Sequence, residues 1–343
     1  MVLSTGTLLT TGLINTDTTF AGAISGAGGL TKEGTNTLTL TGRSTYTGST
    51  GVTNGSVIYQ NNTAPTTSGF TGAGAVVVES ASASFASSVA TNYSFAPTIS
   101  SVRLGKDGNT SGLMVGQTIN VAGPISLYGG HIFVNGGLAS SAAGNILVKG
   151  SAGVAVLGSV QTSGLFTGIA GNASNLLMGL DLTTGAGSTL SADGGVSITA
   201  GTTYLAGNVV TQNTAISITG LTTGTNTKAG FQGTTNFIAS GTGGISMVGT
   251  TSSSNYYGVV LGGTMYAASG DISIYGAGGL GLQASGTWGK GSLASSRSNI
   301  ILTGDGVNIN GSTSITTTGT VTVQPVSNSF TSAFSWPLTT LTL

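Results

Sequence analysis

The acidic side chains are the residues of this chain whose type is best suited to chemistry in a binding cleft. They are Asp17, Glu33, Glu79, Asp107, Asp181, Asp193, Asp271 and Asp305. Enzymes that cleave polysaccharides bring several carboxylates together on one face, alone or with arginine or calcium. Asp107, Asp193 and Asp305 directly precede glycine, and Asp before Gly is typical of a tight turn. We therefore predict turn roles for most of the acids, and no cleft that three of them share.

The single histidine lies in no catalytic pattern. His131 follows two glycines, and no second histidine or matching serine and aspartate pattern accompanies it. The sequence contains no GxxxxGK[ST] loop, no ordered GxGxxG unit and no glycine-rich calcium repeat. We predict His131 on a surface strand. We also predict no catalytic, cofactor-binding or metal-binding residues, and interpret the chain as a protein that is not an enzyme.

Aromatic residues are the other candidates for ligand contact. Tyr256 and Tyr257 lie in a loop-like stretch, and Trp288 lies in a glycine-rich stretch. Exposed aromatic side chains serve as platforms in sugar-binding sites, but aromatic side chains also simply cover a repetitive surface. Both interpretations remain open for these three residues.

Charge is scarce along the chain. Eight Lys and Arg balance eight Asp and Glu, which gives a net charge of zero. Nucleic-acid binding needs a basic footprint, and an anionic membrane surface attracts basic segments, so this composition argues against both partners. The chain has no run of about 18 apolar residues, and we predict no membrane span within it.

A repeated strand phrase indicates which elements position these residues. Apolar residues alternate with small polar ones, as in Ile216-Ser217-Ile218, and this alternation is typical of a strand with one buried face. Copies of the phrase lie at 125–127, 196–198, 216–218, 245–247, 272–274, 307–309 and 321–323. Most copies are bracketed by Gly, Asn or Asp, which favour turns.

The spacing of the phrase predicts the fold. The copies that begin at 125, 146, 196, 216, 245, 272, 300 and 321 lie 20 to 29 residues apart, apart from one double interval of 50. This period fits one turn of a parallel β-helix, so we predict an all-β solenoid of about 14 coils with almost no helix. The predicted parallel strands are 125–127, 146–148, 196–198, 216–218, 245–247, 272–274, 300–302 and 321–323. We predict that Ile198, Ile218, Met247 and Ile274 form a buried inward ladder.

Three zones differ in composition. Residues 1–60 alternate threonine and leucine, residues 61–100 are less regular with one clear strand at Val76–Val78, and residues 101–343 carry the repeated phrase. We interpret all three as one continuous solenoid.

The two ends of the chain resemble those of a fragment. The contexts of Pro97 and Pro337 resemble each other, the chain ends on strand-like Leu341-Thr342-Leu343, and no basic residue precedes Lys32. We therefore expect a fragment that continues past Leu343, has no signal peptide of its own and self-associates end to end.

One segment carries a family resemblance. Within residues 28–58 the matching positions are Gly29, Leu30, Thr31, Lys32, Gly34, Leu38, Thr39, Leu40, Gly42, Tyr46, Thr47, Gly48, Val52, Asn54, Gly55 and Val57. This segment resembles the passenger-associated repeat of bacterial autotransporters. The remainder is more loosely similar to filamentous-haemagglutinin-like β-strand-repeat proteins.

The resemblance implies a fold, a location and a role. The fold is a right-handed parallel β-helix, and the location is the extracellular surface of a Gram-negative bacterium. Export follows either an autotransporter route or a two-partner route through an outer-membrane secretion apparatus. No secretion domain, barrel or signal peptide lies within these 343 residues, so both routes stay open.

Three function hypotheses follow from these observations. The first is a structural and adhesive segment of a large exported surface protein, which touches a glycan or protein of a host, a neighbouring cell or the matrix. The second is a carbohydrate-active β-helix enzyme, which needs a cluster of acids on one face. The third is a threonine-array surface binder, because a phrase such as Thr37-Leu38-Thr39-Leu40-Thr41 can match a regular lattice when it is repeated over many coils.

Overall fold

The computed structural model describes residues 1–171, 175–178, 188–222, 229–233, 236–284, 292–295, 299–309, 314–331 and 340–342. Regular structure in these ranges consists of β-strands only, as predicted. No helix within them has the length and apolarity needed to cross a membrane. The chain divides into two compact units, Met1–Ser163 and Gly164–Leu343, here called unit 1 and unit 2. The composition changes near residues 60 and 100 both fall inside unit 1.

Unit 1 is a parallel β-helix. Its strands pair in parallel with the equivalent strands of the next turn of the chain, and each such turn is called a rung. The strands of unit 1 are Val2–Leu3, Leu8–Thr11, Thr18–Phe20, Ile24–Gly26, Gly29–Lys32, Thr37–Leu40, Ser44–Tyr46, Thr50–Val52, Ser56–Gln60, Gly69–Gly72, Ala75–Glu79, Val89–Thr91, Ser94–Phe95, Ser101–Leu104, Leu113–Val115, Ile119–Val121, Ile125–Val134, Leu138–Ser140, Ile146–Val156 and Val160–Thr162.

Alternation in the sequence explains the strand Thr37–Leu40. Leu38 and Leu40 point into the core and are buried, while Thr37 and Thr39 face outward. Burying each leucine contributes about 1.5–3 kcal/mol relative to leaving it exposed, which holds the register of the strand. Leu38 pairs with Thr18 in the preceding rung and with Val57 in the following rung.

The less regular zone 61–100 lengthens one rung without disturbing the register. The predicted strand at Val76–Val78 is present as Ala75–Glu79 and pairs on both edges, with Ser56–Gln60 and Ser101–Leu104. Inter-rung hydrogen bonds join residues 19 positions apart on the first side and 26 positions apart on the second. The additional residues lie between the strands, where rungs differ in length at little cost.

The core of unit 1 contains a closed ring of hydroxyl groups. The Tyr46 hydroxyl bonds to Thr50 Oγ1 at 2.6 Å and to the Tyr59 hydroxyl, and Thr50 Oγ1 lies 2.9 Å from the Tyr59 hydroxyl. Each group can therefore donate one hydrogen bond and accept one, as buried polar groups require. Burial raises the pKa of both tyrosines. The ring of Phe70 packs edge-on against Tyr59, with centroids 5.9 Å apart.

Unit 2 is also a parallel β-helix, with three stacks of strands. The first stack contains Phe166–Ala170, Val196–Ala200, Ile216–Leu221, Ile245–Thr250, Ile272–Ala277, Ile300–Thr303 and Val321–Gln324. The second contains Asn175–Met178, Thr202–Leu205, Phe231–Gly233, Val259–Leu261, Leu282–Ala284 and Val307–Ile309. The third contains Leu190–Ala192, Val209–Gln212, Phe237–Ser240, Thr264–Ala267, Ser292–Ser295, Ser314–Thr316 and Thr340–Thr342.

The predicted inward ladder is confirmed in the first stack. Ile198, Ile218, Met247 and Ile274 are direct register partners from rung to rung, and each is at most 1% exposed. The predicted parallel strands are confirmed within each unit, and the interval of 50 residues holds one further strand of the first stack, Phe166–Ala170. The copy of the phrase at 307–309 differs, because it lies in the second stack beside Leu282–Ala284.

Candidate binding surface

Three of the five described aspartates, Asp17, Asp271 and Asp305, link one rung to the next through their carboxylates. Asp17 Oδ1 accepts the amide N–H of Thr37 at 2.7 Å, and Asp271 Oδ1 accepts that of Asn299 at 2.8 Å. Four asparagines use their side-chain oxygens in the same way: Asn15, Asn62, Asn236 and Asn299. These aspartates and asparagines therefore accept hydrogen bonds from backbone N–H groups at the corners between strands, where strand pairing leaves those N–H groups without a partner.

The Asp-Gly turn prediction is confirmed at Asp107 and Asp193 and incomplete at Asp305. The Asp107 carboxylate accepts the N–H of Gly108 at 2.9 Å, as a local turn requires. Asp305 instead accepts the N–H of Ser327 in the following rung at 2.6 Å, and this backbone amide lowers the pKa of the Asp305 carboxyl. At Asp193 the backbone carbonyl accepts the Thr214 hydroxyl at 2.6 Å.

Four of the nine charged side chains of unit 1 form two ion pairs. Glu79 is bound on both sides, by Arg103 Nη2 at 2.7 Å and by Gln60 Nε2 at 2.9 Å. Lys149 Nζ lies 2.8 Å from the Asp107 carboxylate and lowers the pKa of that group. Each of these two carboxylates is therefore neutralised by a basic partner.

No convergent acid site occurs among the residues that the structure describes. Within them no three His, Asp or Glu side chains lie close enough to hold a metal ion. His131 is exposed on the strand Ile125–Val134 opposite Gly153, which confirms the surface-strand prediction. Asp181 and Trp288 lie outside the described residues, as do residues 332–339 around Pro337 and Leu343.

Hydroxyl groups form an outward rank in unit 2. Ser197, Ser217, Ser246 and Ser273 are register partners in four consecutive rungs, between the inward-pointing residues of the first stack. None of these four hydroxyl groups has a hydrogen-bond partner among the described residues. The rank leaves donors and acceptors open to solvent or to a ligand.

The threonine array around Thr37–Thr41 does not extend over many rungs. Thr39 aligns with Thr19 in the preceding rung, but Ile58 takes the position in the following one. A lattice binder needs the same residue type at regular intervals on a flat face. Here the regularity ends after two rungs.

A corner of unit 2 presents the most exposed aromatic side chain in its described part. The loop Thr251–Tyr257 connects the first and second stacks, and the backbone N–H of Leu280 in the next rung donates to Tyr256 O at 3.0 Å. Tyr256 is 40% exposed and Leu280 is 37% exposed. Gly279 has φ +50°, and a Cβ there would lie 2.3 Å from Tyr256 O, so only glycine permits this close approach.

Tyr257 fastens the same loop to a third rung. Asn308 Nδ2 donates to the Tyr257 hydroxyl at 3.2 Å across 51 positions of sequence. Asn308 and Gln283 are register partners and point outward from the second stack. Tyr256, Tyr257, Leu280, Gln283 and Asn308 are called the corner platform. It offers aromatic and aliphatic groups from the loops of two rungs and amide groups from two strands of the second stack.

Lys32 is a buried cation that was not singled out as a site. Its side chain is 0% exposed, and Nζ donates to the carbonyl oxygens of Glu33, Gly34 and Asn54 at 2.7, 2.9 and 3.4 Å. Burial lowers the pKa of Lys32, and the charge of Asp17 opposes this. The sequence indicates this burial, because Lys32 lies two residues after Leu30 on the same strand and so points to the same inward side.

Comparison of the chain with protein-family models, with curated proteins and with solved structures found no match.

Proposed function

We propose that this chain is a structural and adhesive segment of a large exported bacterial surface protein. It belongs at the extracellular surface of a Gram-negative cell, delivered by an outer-membrane secretion apparatus of the autotransporter or two-partner type. Its partners are glycans or proteins of a host, a neighbouring cell or the matrix. The chain acts as a neutral scaffold whose corners and outward ranks make contact, without catalysis.

The single observation that supports this proposal is how five of the seven described acids use their carboxylates. Asp17, Asp271 and Asp305 accept backbone amides of the next rung, and Glu79 and Asp107 are paired with basic side chains. A glycosidase needs two carboxylates free to act as acid and base on one substrate. Carboxylates that maintain the rungs favour a scaffold, and the outward serine rank and the corner platform favour contact.

Attachment under flow tests this proposal. Beads coated with the 343-residue chain should adhere to a film of matrix protein or to a cell layer more strongly than beads coated with the heat-unfolded chain. The same preparation should release no reducing ends from polygalacturonate or from neutral glycans. Equal adhesion of folded and unfolded coatings, or measurable cleavage of a glycan, would overturn the proposal.

Self-association belongs to the same proposal. The first rung of unit 1 exposes Val2 and Leu8, and beside it lies an open apolar cavity of about 290 Å³ lined by residues including Leu9 and Phe20. The strands of a parallel β-helix all run in one direction, so this edge accepts a parallel strand from a second copy. Such a contact leaves a new edge free and extends into a filament.

A further inference from the structure

We propose that the corner platform of unit 2 binds an uncharged oligosaccharide, with Tyr256 stacked on the face of a sugar ring. This inference rests on the proposed adhesive function and gives it a ligand class and a place. The argument uses the shape of the loop, the polar groups beside it and the charge around it.

The loop holds Tyr256 ready for contact. Thr251 N–H donates to Ala277 O at 3.1 Å, and Gly258 N–H donates to Gly281 O at 2.7 Å, so both ends of the loop are fastened to the next rung. Tyr257 and Gly279 form an additional antiparallel bridge. A tyrosine on a fixed backbone has little conformational entropy to lose on binding, and its ring packs against the apolar C–H face of a sugar.

The polar groups beside Tyr256 suit sugar hydroxyls. The Tyr257 oxygen accepts the Asn308 amide, so its own hydrogen is free to donate outward. Asn308 Oδ1 and the Gln283 amide add acceptors and donors on the same face, on two adjacent rungs. A sugar hydroxyl both donates and accepts, and paired donors and acceptors match it better than they match an apolar peptide.

The charge around the platform favours a neutral ligand. The charged side chains in the described part of unit 2 are Asp193, Asp271 and Asp305, all of them acidic. Asp305 occupies the same corner two rungs further along, at a distance of about 10 Å. The Ser327 amide stabilises its ionised form, so the carboxylate carries a fixed negative charge at neutral pH. This charge repels uronic and sialic acids and leaves neutral sugars unaffected.

Isothermal titration of the full 343-residue chain tests the platform. The probes are two neutral oligosaccharides, cellohexaose and β-1,4-galactohexaose, and one acidic oligosaccharide, hexagalacturonate. We expect binding of at least one neutral probe and weaker binding of the acidic probe. Tyr256→Ala should weaken that binding at least tenfold, which corresponds to about 1.4 kcal/mol, whereas Tyr256→Phe keeps the ring and should keep most of the affinity.

The matched control is Tyr266→Ala. Tyr266 is 37% exposed, similar to Tyr256, but it lies in the third stack away from the corner. Its loss should leave binding unchanged, and unchanged thermal melting of both variants shows that the fold is intact. Asn308→Ala should weaken binding severalfold, because it removes one polar contact and the hydrogen bond that fastens Tyr257.

Three results would overturn the inference. They are no binding of either neutral probe, equal binding by Tyr256→Ala and the parent chain, and equal binding of the acidic probe. If any of them occurs while beads still adhere under flow, the platform is wrong and the adhesive function stands. If the probes bind as expected while adhesion fails, the platform stands as a sugar site and the adhesive function is wrong.

Discussion

Lys149 and Asp107 form an ion pair that spans two rungs of unit 1. Lys149 Nζ lies 2.8 Å from the Asp107 carboxylate, 42 positions earlier in the chain. The register partner of Lys149 is Tyr128 on the intervening rung, so the lysine side chain crosses over that rung. Both partners are partly open to water. Solvent and salt screen such pairs, so the crossing contributes little to stability.

Glu79 should behave differently from this exposed pair. It is only 8% exposed, and its removal leaves Arg103 and Gln60 without their shared acceptor. We expect Glu79→Ala to lower the free energy of unfolding by about 1–3 kcal/mol in urea titration. Lys149→Ala is the control and should leave the unfolding midpoint almost unchanged. Similar losses of unfolding free energy in the two variants would contradict the expectation that Glu79 stabilises the fold more than the exposed Lys149–Asp107 pair does.

The inward ladder of unit 2 predicts a position-specific effect of charge. Ile218→Asp places an unpaired carboxylate between Ile198 and Met247, at a cost of several kcal/mol. The neighbouring Ser217→Asp puts the same group on the outward face and should cost far less. Thermal melting of the two variants tests this, and an unchanged melting temperature for Ile218→Asp would refute the ladder.

Buried tyrosines predict a loss of stability in alkali. Burial raises the pKa of Tyr46, Tyr59 and Tyr93 in the folded chain. As the pH rises above 10, these tyrosines therefore ionise in the unfolded chain before they ionise in the folded chain. Their contribution to the free energy of unfolding is fully present below pH 10 and is lost as the pH rises further. Between pH 10 and its pKa in the folded chain, each such tyrosine lowers the free energy of unfolding by about 1.4 kcal/mol per pH unit.

Urea unfolding between pH 9 and pH 12 measures this slope. Tyr59→Phe should flatten it by the contribution of one tyrosine, at the cost of the hydrogen bonds that the hydroxyl ring loses. Tyr256→Phe is the control, because it removes a hydroxyl from an exposed tyrosine outside the core. A slope that Tyr59→Phe leaves unchanged would mean that Tyr59 ionises equally in both states.

Self-association should depend on the first rung. Val2 is 77% exposed and Leu8 is 61% exposed, both on strands whose outer edge carries no partner in the described structure. We expect light scattering to show concentration-dependent oligomers of the 343-residue chain. The Val2→Lys and Leu8→Lys double variant should shift the chain to monomers, because lysine on an open edge opposes strand pairing. A parent chain that is monomeric at high concentration would rule out this association.

Local alternation was sufficient to predict the strands and the inward ladder. Ile198, Ile218, Met247 and Ile274 could be predicted because every second residue of a strand faces the core and the phrase recurs without interruption. The same reasoning explains part of the motif in residues 28–58, where Leu30, Leu38, Leu40, Tyr46, Val52 and Val57 are buried. The membership that the motif implies stays a prediction.

Contacts between rungs were beyond sequence reasoning. The link from Asp305 to Ser327 and the bond from Tyr257 to Asn308 join residues 22 and 51 positions apart. The hydroxyl ring around Thr50 brings together side chains of three successive strands. Which side chains meet depends on the length of every corner between them, and corner lengths follow no period. Lys32 is an exception, because strand alternation places it on the same inward side as Leu30. Sequence reasoning would still expect this residue to be exposed, because lysine is rarely buried.

The corner that carries Tyr256 shows how such a chain can acquire new specificities. Strands of the first stack keep their register while register partners in successive rungs lie from 20 to 30 positions apart. Lengthening a loop costs little entropy, and the ladder beneath it does not move. Mutation can therefore change the length and side chains of the outer corners, while selection for folding acts on the residues of the inner ladder. A lineage that carries this scaffold can change what it recognises without having to evolve a new fold.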